Sequence, residues 1–250
     1  MIKPLVSKYK PTSGFAHFLH VALLLALPIV SFILIRLDFA EIALALVILS
    51  KWRMFAVRPR FWAANIRANS VDVMVGLSLV LFMMQTDSFL LQGIWTVLYA
   101  IWLVFIKPKS TQAMVMAQAF IAQFLALTAL YLIGTDSPAF VITLLTGLIC
   151  FLSARHFFDT FDEPYARMLS YVWGYFGAAI GWLLGHWLLF YTVIAQPTLL
   201  LSTIGYGMAV IYYLDHTDRL SKGVRKQFMF VMLAIVLVVL AFSDWGDKAL

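Results

Sequence analysis

Charge is scarce in this chain. Asp, Glu, Lys and Arg make up 12% of its 250 residues, against about 25% in a soluble domain, and 63% of the residues are hydrophobic. That balance excludes an ordinary water-soluble domain and a disordered chain. Cysteine is nearly absent as well. Cys150 stands alone inside an apolar run, so neither a disulfide framework nor a thiolate metal cluster can form within the chain. Every lysine lies at or beyond the end of an apolar run, which excludes a Schiff base in mid-membrane. There is no Gly-Lys-Ser/Thr phosphate loop, no His-Glu-x-x-His and no Gly-x-Ser-x-Gly, so energy coupling by ATP bound to this chain is excluded. No polar interval is long enough for a soluble domain. Met1 to Phe32 has the basic head and Leu-rich stretch of a signal peptide, but the run continues to Ile35 without a small-residue cleavage site. It is expected to be an uncleaved first span.

Long apolar runs are what the chain does have. They fall at about 17–36, 39–56, 70–86, 88–106, 111–134, 138–157, 167–193, 196–214 and 226–243, each roughly long enough to cross a ~30 Å hydrocarbon core as helix. The expected fold is all-α: one polytopic membrane bundle of about nine transmembrane helices over 1–250. Sixteen of the eighteen Lys and Arg lie on the N-terminal segment and on alternate connections, leaving only Arg36 and Lys248 on the others. The positive-inside rule then predicts a cytoplasmic N-terminus, an external C-terminus and a place in the cell membrane. The +6 net charge is assigned to anionic headgroups of the inner leaflet, and nucleic acid is not an expected partner. Outer connections such as Arg36-Leu37-Asp38, Gln85-Thr86-Asp87-Ser88 and Gly134-Thr135-Asp136-Ser137 are short, which predicts tight helical hairpins. Asp38, Asp87 and Asp136 recur every 49 residues, as a hairpin duplication or merely similar helix lengths would produce.

Three polar clusters are candidate sites at the cytoplasmic face. Lys51 to Trp62 interleaves cations with aromatics around Pro59, an interfacial elbow in which Arg53, Arg58 and Arg60 can reach phosphate oxygens of lipid headgroups. Asn65, Asn69 and Asp72 share one helical face at the start of helix 3, where a carboxylate needs the bundle interior or a basic partner such as Arg67. At the end of helix 6, His156, Asp159 and Glu163 share a face if the helix continues, with Asp162 beside them. A solvated last turn before Pro164 is the simpler account of that cluster. His17 and His20 are interfacial aromatics, and His186 is the one histidine deep in a span. Helix 7 carries Gly174, Gly177, Gly181 and Gly185, small residues that let another backbone approach closely, within the bundle or across an oligomer contact. Thr143, Thr146, Cys150 and Ser153 of helix 6, with Gln112, Gln118 and Gln123 of helix 5, form a weakly polar stripe. Helix 9 is expected to face lipid.

The expected function is that of a small permease or transporter-like bundle, with a cavity lined by helices 3, 5, 6 and 7 and open to the cytoplasm. The alternatives are an intramembrane enzyme acting on a lipid or polyprenyl phosphate, and a noncatalytic scaffold or complex subunit. Nine helices with acidic residues after helices 2 and 6 resemble, in topology, the intramembrane prenyltransferases, which bind a prenyl diphosphate through magnesium. That resemblance implies a phosphate site at Asn65, Asn69 and Asp72 and at Asp159 and Asp162, although Asp-rich repeats are missing here. No cofactor or metal site is expected, except a divalent cation under the enzyme alternative. The orientation is testable in a Cys150→Ser background. A cysteine at Asp87 should react with an impermeant thiol reagent outside intact cells while cysteines at Arg58 and Lys222 stay unlabelled, and the reverse pattern would invert the topology.

Overall fold

The computed structural model describes residues 15–134, 137–185, 190–191 and 194–243. The expectations placed on Lys3, Lys8, Lys10, Thr135, Asp136, His186 and Lys248, and on the side chains of His17 and His20, lie outside the described residues. The described residues form nine α-helices and one short strand pair. The helices are α1 (Phe15–Arg36), α2 (Ala40–Leu49), α3 (Trp62–Met84), α4 (Phe89–Ile101), α5 (Gln112–Ile133), α6 (Ala139–Phe158), α7 (Ala166–Gly185), α8 (Gln196–His216) and α9 (Lys222–Ala241). Between α7 and α8, β1 (Phe190–Tyr191) pairs antiparallel with β2 (Ile194–Ala195).

Among the described residues six helices, not nine, are long and apolar enough to cross a membrane: Pro59–Met84, Phe89–Ile106, Gln112–Ile133, Ala139–Phe158, Gln196–His216 and Lys222–Ala241. Two of the other three expected spans are cut short, each for its own reason. The run at 39–56 is helical only over Ala40–Leu49, about 15 Å of helix. There the Ser50 hydroxyl donates to the Val47 carbonyl (2.6 Å) and a 3-10 turn at Trp52–Met54 follows. The run at 167–193 is described as helix over Ala166–Gly185 and as strand at Phe190–Tyr191, and Gly, Tyr and Trp dilute the hydropathy of the helix. α1 is helical over Phe15–Arg36, the whole of the run expected at 17–36, and Val21–Arg36 is its apolar stretch among the residues whose side chains are described. In the other direction α3 begins at Trp62, not at 70, because Pro59 opens a 3-10 turn that runs straight into it. A π-helical turn at Trp102–Ile106 completes α4, with the Lys107 amide donating to the Trp102 carbonyl at 2.8 Å.

Contacts divide the chain into two compact units, Met1–Ser50 with Leu79–Pro108, and Lys51–Ser78 with Lys109–Leu250. In the first, α1 packs on α2 and α4. The hairpin between α1 and α2 turns at Asp38, whose φ of 61° puts it in the left-handed region, and the Phe39 amide returns to the Leu34 carbonyl (2.9 Å). Asp162 and Asp218 do the same after α6 and α8, so aspartate fills the helix-end role more often taken by glycine.

The second unit is built on α6 against α7. A Cβ on Gly177 would sit 2.6 Å from Cys150 Sγ, and one on Gly174 would sit 2.9 Å from Phe151 Cβ and 3.0 Å from the Gly147 carbonyl oxygen. The glycine face of α7 is therefore spent on α6 within the chain. Gly181 lies over Thr146, whose hydroxyl hydrogen-bonds Tyr131 of α5 at 3.0 Å. α5 packs in turn on α8, and α8 on α9. We expect Gly177→Ala to lower stability by about 1–3 kcal/mol through overpacking. Gly93→Ala in α4, where a new Cβ meets nothing within 4 Å, should be neutral or raise it by up to ~1 kcal/mol through helix propensity. Thermal unfolding in detergent compares the two, and equal effects would mean that the α6–α7 contact is looser than described.

Candidate functional site

The polar residues at the start of α3 are used to hold the elbow before it. Asn65 donates to the Met54 carbonyl (3.4 Å), Asn69 to the Asn65 carbonyl (2.8 Å), and the Trp62 indole to the carbonyls of Phe55 and Val57 (3.2 and 3.0 Å). Asp72 is buried and forms an ion pair with Lys51, so its basic partner comes from the foot of α2. Side-chain exposures of 10% for Lys51 and 9% for Asp72 leave little water to screen the pair. Arg53, Arg58 and Arg60 are exposed, and the Arg60 guanidinium stacks 4.6 Å from the Phe61 ring.

At the other predicted cluster the helix does not continue. α6 stops at Phe158, Asp159 caps it, and Asp162 takes its left-handed turn ahead of Pro164. His156, Asp159 and Glu163 therefore do not share a helical face. His156 Nε2 pairs with Gln118 Oε1 of α5 (3.2 Å), and Asp159 pairs with Arg155 (2.9 Å). Glu163 accepts from the Tyr212 hydroxyl of α8 and from the Tyr165 amide (3.2 Å). A pocket of about 330 Å³ at this connection is lined by residues between Arg155 and Arg167, including Asp159, Asp162 and Glu163. Nε and Nη1 of Arg155 are buried there without a hydrogen-bond partner. Among the described residues no group of three or more His, Cys, Asp or Glu is gathered that would hold a metal ion.

The larger space is elsewhere. A chamber of about 750 Å³ lies among α5, α6, α7, α8 and α9, a set that includes the two last helices and differs from the expected helices 3, 5, 6 and 7. Its wall is mostly apolar and aromatic, with Phe157, Trp173, Phe176, Ile204 and the Met229 and Met232 side chains of α9. α9 is otherwise largely exposed along its length. Gln123 is the interior anchor: it accepts from the Trp173 indole (3.0 Å) and donates to the Leu201 carbonyl (3.1 Å), joining α5, α7 and α8. Gly205 lets the Trp173 ring lie against α8, since a Cβ there would be 2.9 Å from Cζ2. Ser153 is part of the wall, and Asp215 and Arg225 line the end at the α8–α9 connection. Beside that end Phe157, Phe158, Phe161, Tyr212 and His216 form a ring cluster with several centroids 4.7–5.6 Å apart. Sequence periodicity marks Ser153 and Gln123 as a weakly polar stripe. It misses Trp173, Tyr212, Asp215 and Arg225, whose common position depends on how α7, α8 and α9 pack.

No protein-family model, curated protein or solved structure matches the chain.

Two outcomes follow from these contacts. Asp72→Asn leaves the Lys51 ammonium buried without its counter-charge and should cost about 3 kcal/mol or more, most of it recovered in Lys51→Met/Asp72→Leu; equal losses in single and double variants would show that the pair is not the relevant interaction. The second outcome concerns acid. The Tyr212 hydroxyl, then the Tyr165 amide, hold the Glu163 carboxyl below its ordinary value against a smaller opposing effect of burial. Because the folded value is depressed, the stabilisation is fully present above about pH 4.3 and is lost as pH falls through the folded value. The melting-temperature gap between the parent and Tyr212→Phe should therefore be full at neutral pH and close as pH falls through the depressed folded value. A gap independent of pH would assign Tyr212 to packing alone.

Proposed function

We propose that the chain is an integral membrane bundle of the permease type, N-terminus cytoplasmic and C-terminus external, whose substrate space is the chamber among α5 to α9. The observation that carries this reading is the chamber itself. At about 750 Å³ it falls within the range of small-molecule sites, and five helices of one unit border it. Its apolar wall favours a lipophilic substrate over a hydrophilic one, because a polar solute would lose its hydration there with few groups to replace it. The surroundings fit a bilayer. Phe230, Val231, Leu233, Leu237 and Phe242 of the α9 region are exposed, and water would make that row of side chains an aggregation surface. Arg53, Arg58 and Arg60 lie exposed beside Trp52, Phe55 and Trp62, an arrangement suited to anionic headgroups at the inner interface. An oligomer contact through α7 would use a face other than that of Gly174, Gly177 and Gly181, which α6 and Tyr131 of α5 occupy.

The permease reading is tested in liposomes. Full-length protein should raise the fraction of an NBD-labelled single-chain lipid that external dithionite reduces, and Ala209→Trp, which fills the chamber, should abolish that increase. Equal dithionite access with and without protein would remove the permease reading, and an undiminished increase in Ala209→Trp would move the substrate path away from the chamber.

A further inference from the structure

We propose that the chamber among α5 to α9 takes a single-chain amphiphile: one aliphatic tail against Trp173 and Ile204, a hydrogen-bond acceptor at Ser153, and a zwitterionic head at Asp215 and Arg225. This rests on the reading of the chamber as a substrate space and goes on to name the substrate's chemistry.

Size suits one tail. At roughly 30 Å³ per non-hydrogen group, one palmitoyl chain with an ester and a glycerol needs ~700 Å³, whereas two such chains alone need ~1,000 Å³. The chamber offers about 750 Å³.

The polar groups are graded along its length. Asp215 lies in the last turn of α8 and Arg225 in the first turn of α9, so both mark one end. Ser153 is five residues before the end of α6, about 8 Å into the bundle, and Gln123 is eleven residues into α5, about 16 Å. A charged end, then one hydroxyl, then an apolar interior is the order of head, linker and tail.

Ser153 supplies the sharpest signal. Helix serines in this chain commonly donate to a carbonyl one turn back, as Ser31 does to Leu27 (2.9 Å), Ser78 to Met74 (2.7 Å) and Ser170 to Ala166 (2.6 Å). Ser153 is 2% exposed and its hydroxyl has no partner. Thr143, Thr198 and Ser202 also have unpartnered buried hydroxyls, but Ser153 is the one among them on the chamber wall. An unpaired donor in an apolar wall is unfavourable until a guest accepts from it.

The head follows from charge. Arg225 and Asp215 approach at 4.0 Å with side chains 60% and 70% exposed, a loose pair that opens at little cost. A phosphate on Arg225 and a cation on Asp215 would engage both, whereas a simple anion would be repelled by Asp215.

Three probes separate the parts: palmitoyl lysophosphatidylcholine carries tail, ester and zwitterion, hexadecylphosphocholine lacks the ester, and monopalmitoylglycerol lacks the charges. Dissociation constants are read from ligand-dependent thermal stabilisation of the full-length protein in a maltoside micelle. Ser153→Ala should weaken the two ester probes about fivefold and leave hexadecylphosphocholine unchanged. The double variant Asp215→Asn/Arg225→Gln should weaken the two zwitterions by a similar factor and leave monopalmitoylglycerol unchanged. If all three probes bind the parent and both variants alike, while Ala209→Trp or the milder Ala209→Met abolishes binding, the chamber takes a lipophile without reading its polar groups. That result overturns the proposal and leaves the substrate space standing. Unaltered binding of all three probes by both Ala209 variants places the guest outside the chamber and overturns both.

Discussion

The close approach of α6 and α7 governs the rest of the second unit. With Gly147, Gly174 and Gly177 at the contact, the backbones come near enough for each glycine's neighbours to be carbonyl oxygens, Phe151 and Cys150, not long side chains. In hydrocarbon there is no water to expel from between helices, so such a contact gains from dispersion between well-fitted surfaces. Locking this pair fixes what each helix offers on its other faces. α6 then presents Thr146 to Tyr131 of α5, and Ser153 and Phe157 to the chamber, while α7 presents Trp173 and Phe176. The chamber exists because the helices around it are held from behind by small residues, which leaves the large side chains for its wall.

Polar side chains in the interior perform a second task, which is to fix the register of helices that apolar packing alone would let slide. Gln123 bonds α7 through an indole and α8 through a backbone carbonyl. Gln118 ties α5 to His156 and to the Lys109 carbonyl (2.8 Å), and Gln92 closes the end of α3 through the carbonyls of Met83 and Thr86 (3.2 and 2.7 Å). Each amide bonds a group on another segment, so moving a helix by one residue breaks these bonds. Lys51 with Asp72 follows the same logic with charges, and its location shows why α2 can be short: the chain turns polar at Ser50 and Lys51 and finds its counter-charge in α3.

The sequence made the helices legible, and also the small-residue face of α7, because both are local periodic patterns. The tight turn at Asp38 was legible too, from a short polar interval between two apolar runs. What was not legible depended on where a run stops being helix. Hydropathy does not distinguish helix from the strand pair at 190–195, so the span at 167–193 was read too long, and it carried 39–56 past Ser50 for the same reason. The shared face of His156, Asp159 and Glu163 needs five more helical residues than Asp162 and Pro164 permit. The chamber was harder still. Trp173, Asp215 and Arg225 lie on three helices far apart in sequence, and no spacing rule brings them together.

Spending polar groups on register also explains why the chamber wall is apolar. Gln118, Gln123, Thr146 and Tyr131 all belong to helices that border the chamber, and each is engaged in joining one helix to another. A cavity for a hydrophilic solute would need those same groups free to replace the solute's water, and freeing them would loosen the helices that enclose it. A bundle this sparing in charge can hold its helices in register or solvate a polar guest, but it has too few polar side chains for both. The buried hydroxyl left over on the chamber wall is Ser153, and the charges left over at the chamber end are Asp215 and Arg225, whose mutual contact is loose. A guest that is mostly hydrocarbon, with one acceptor and a small charged end, makes demands that those remaining groups can meet.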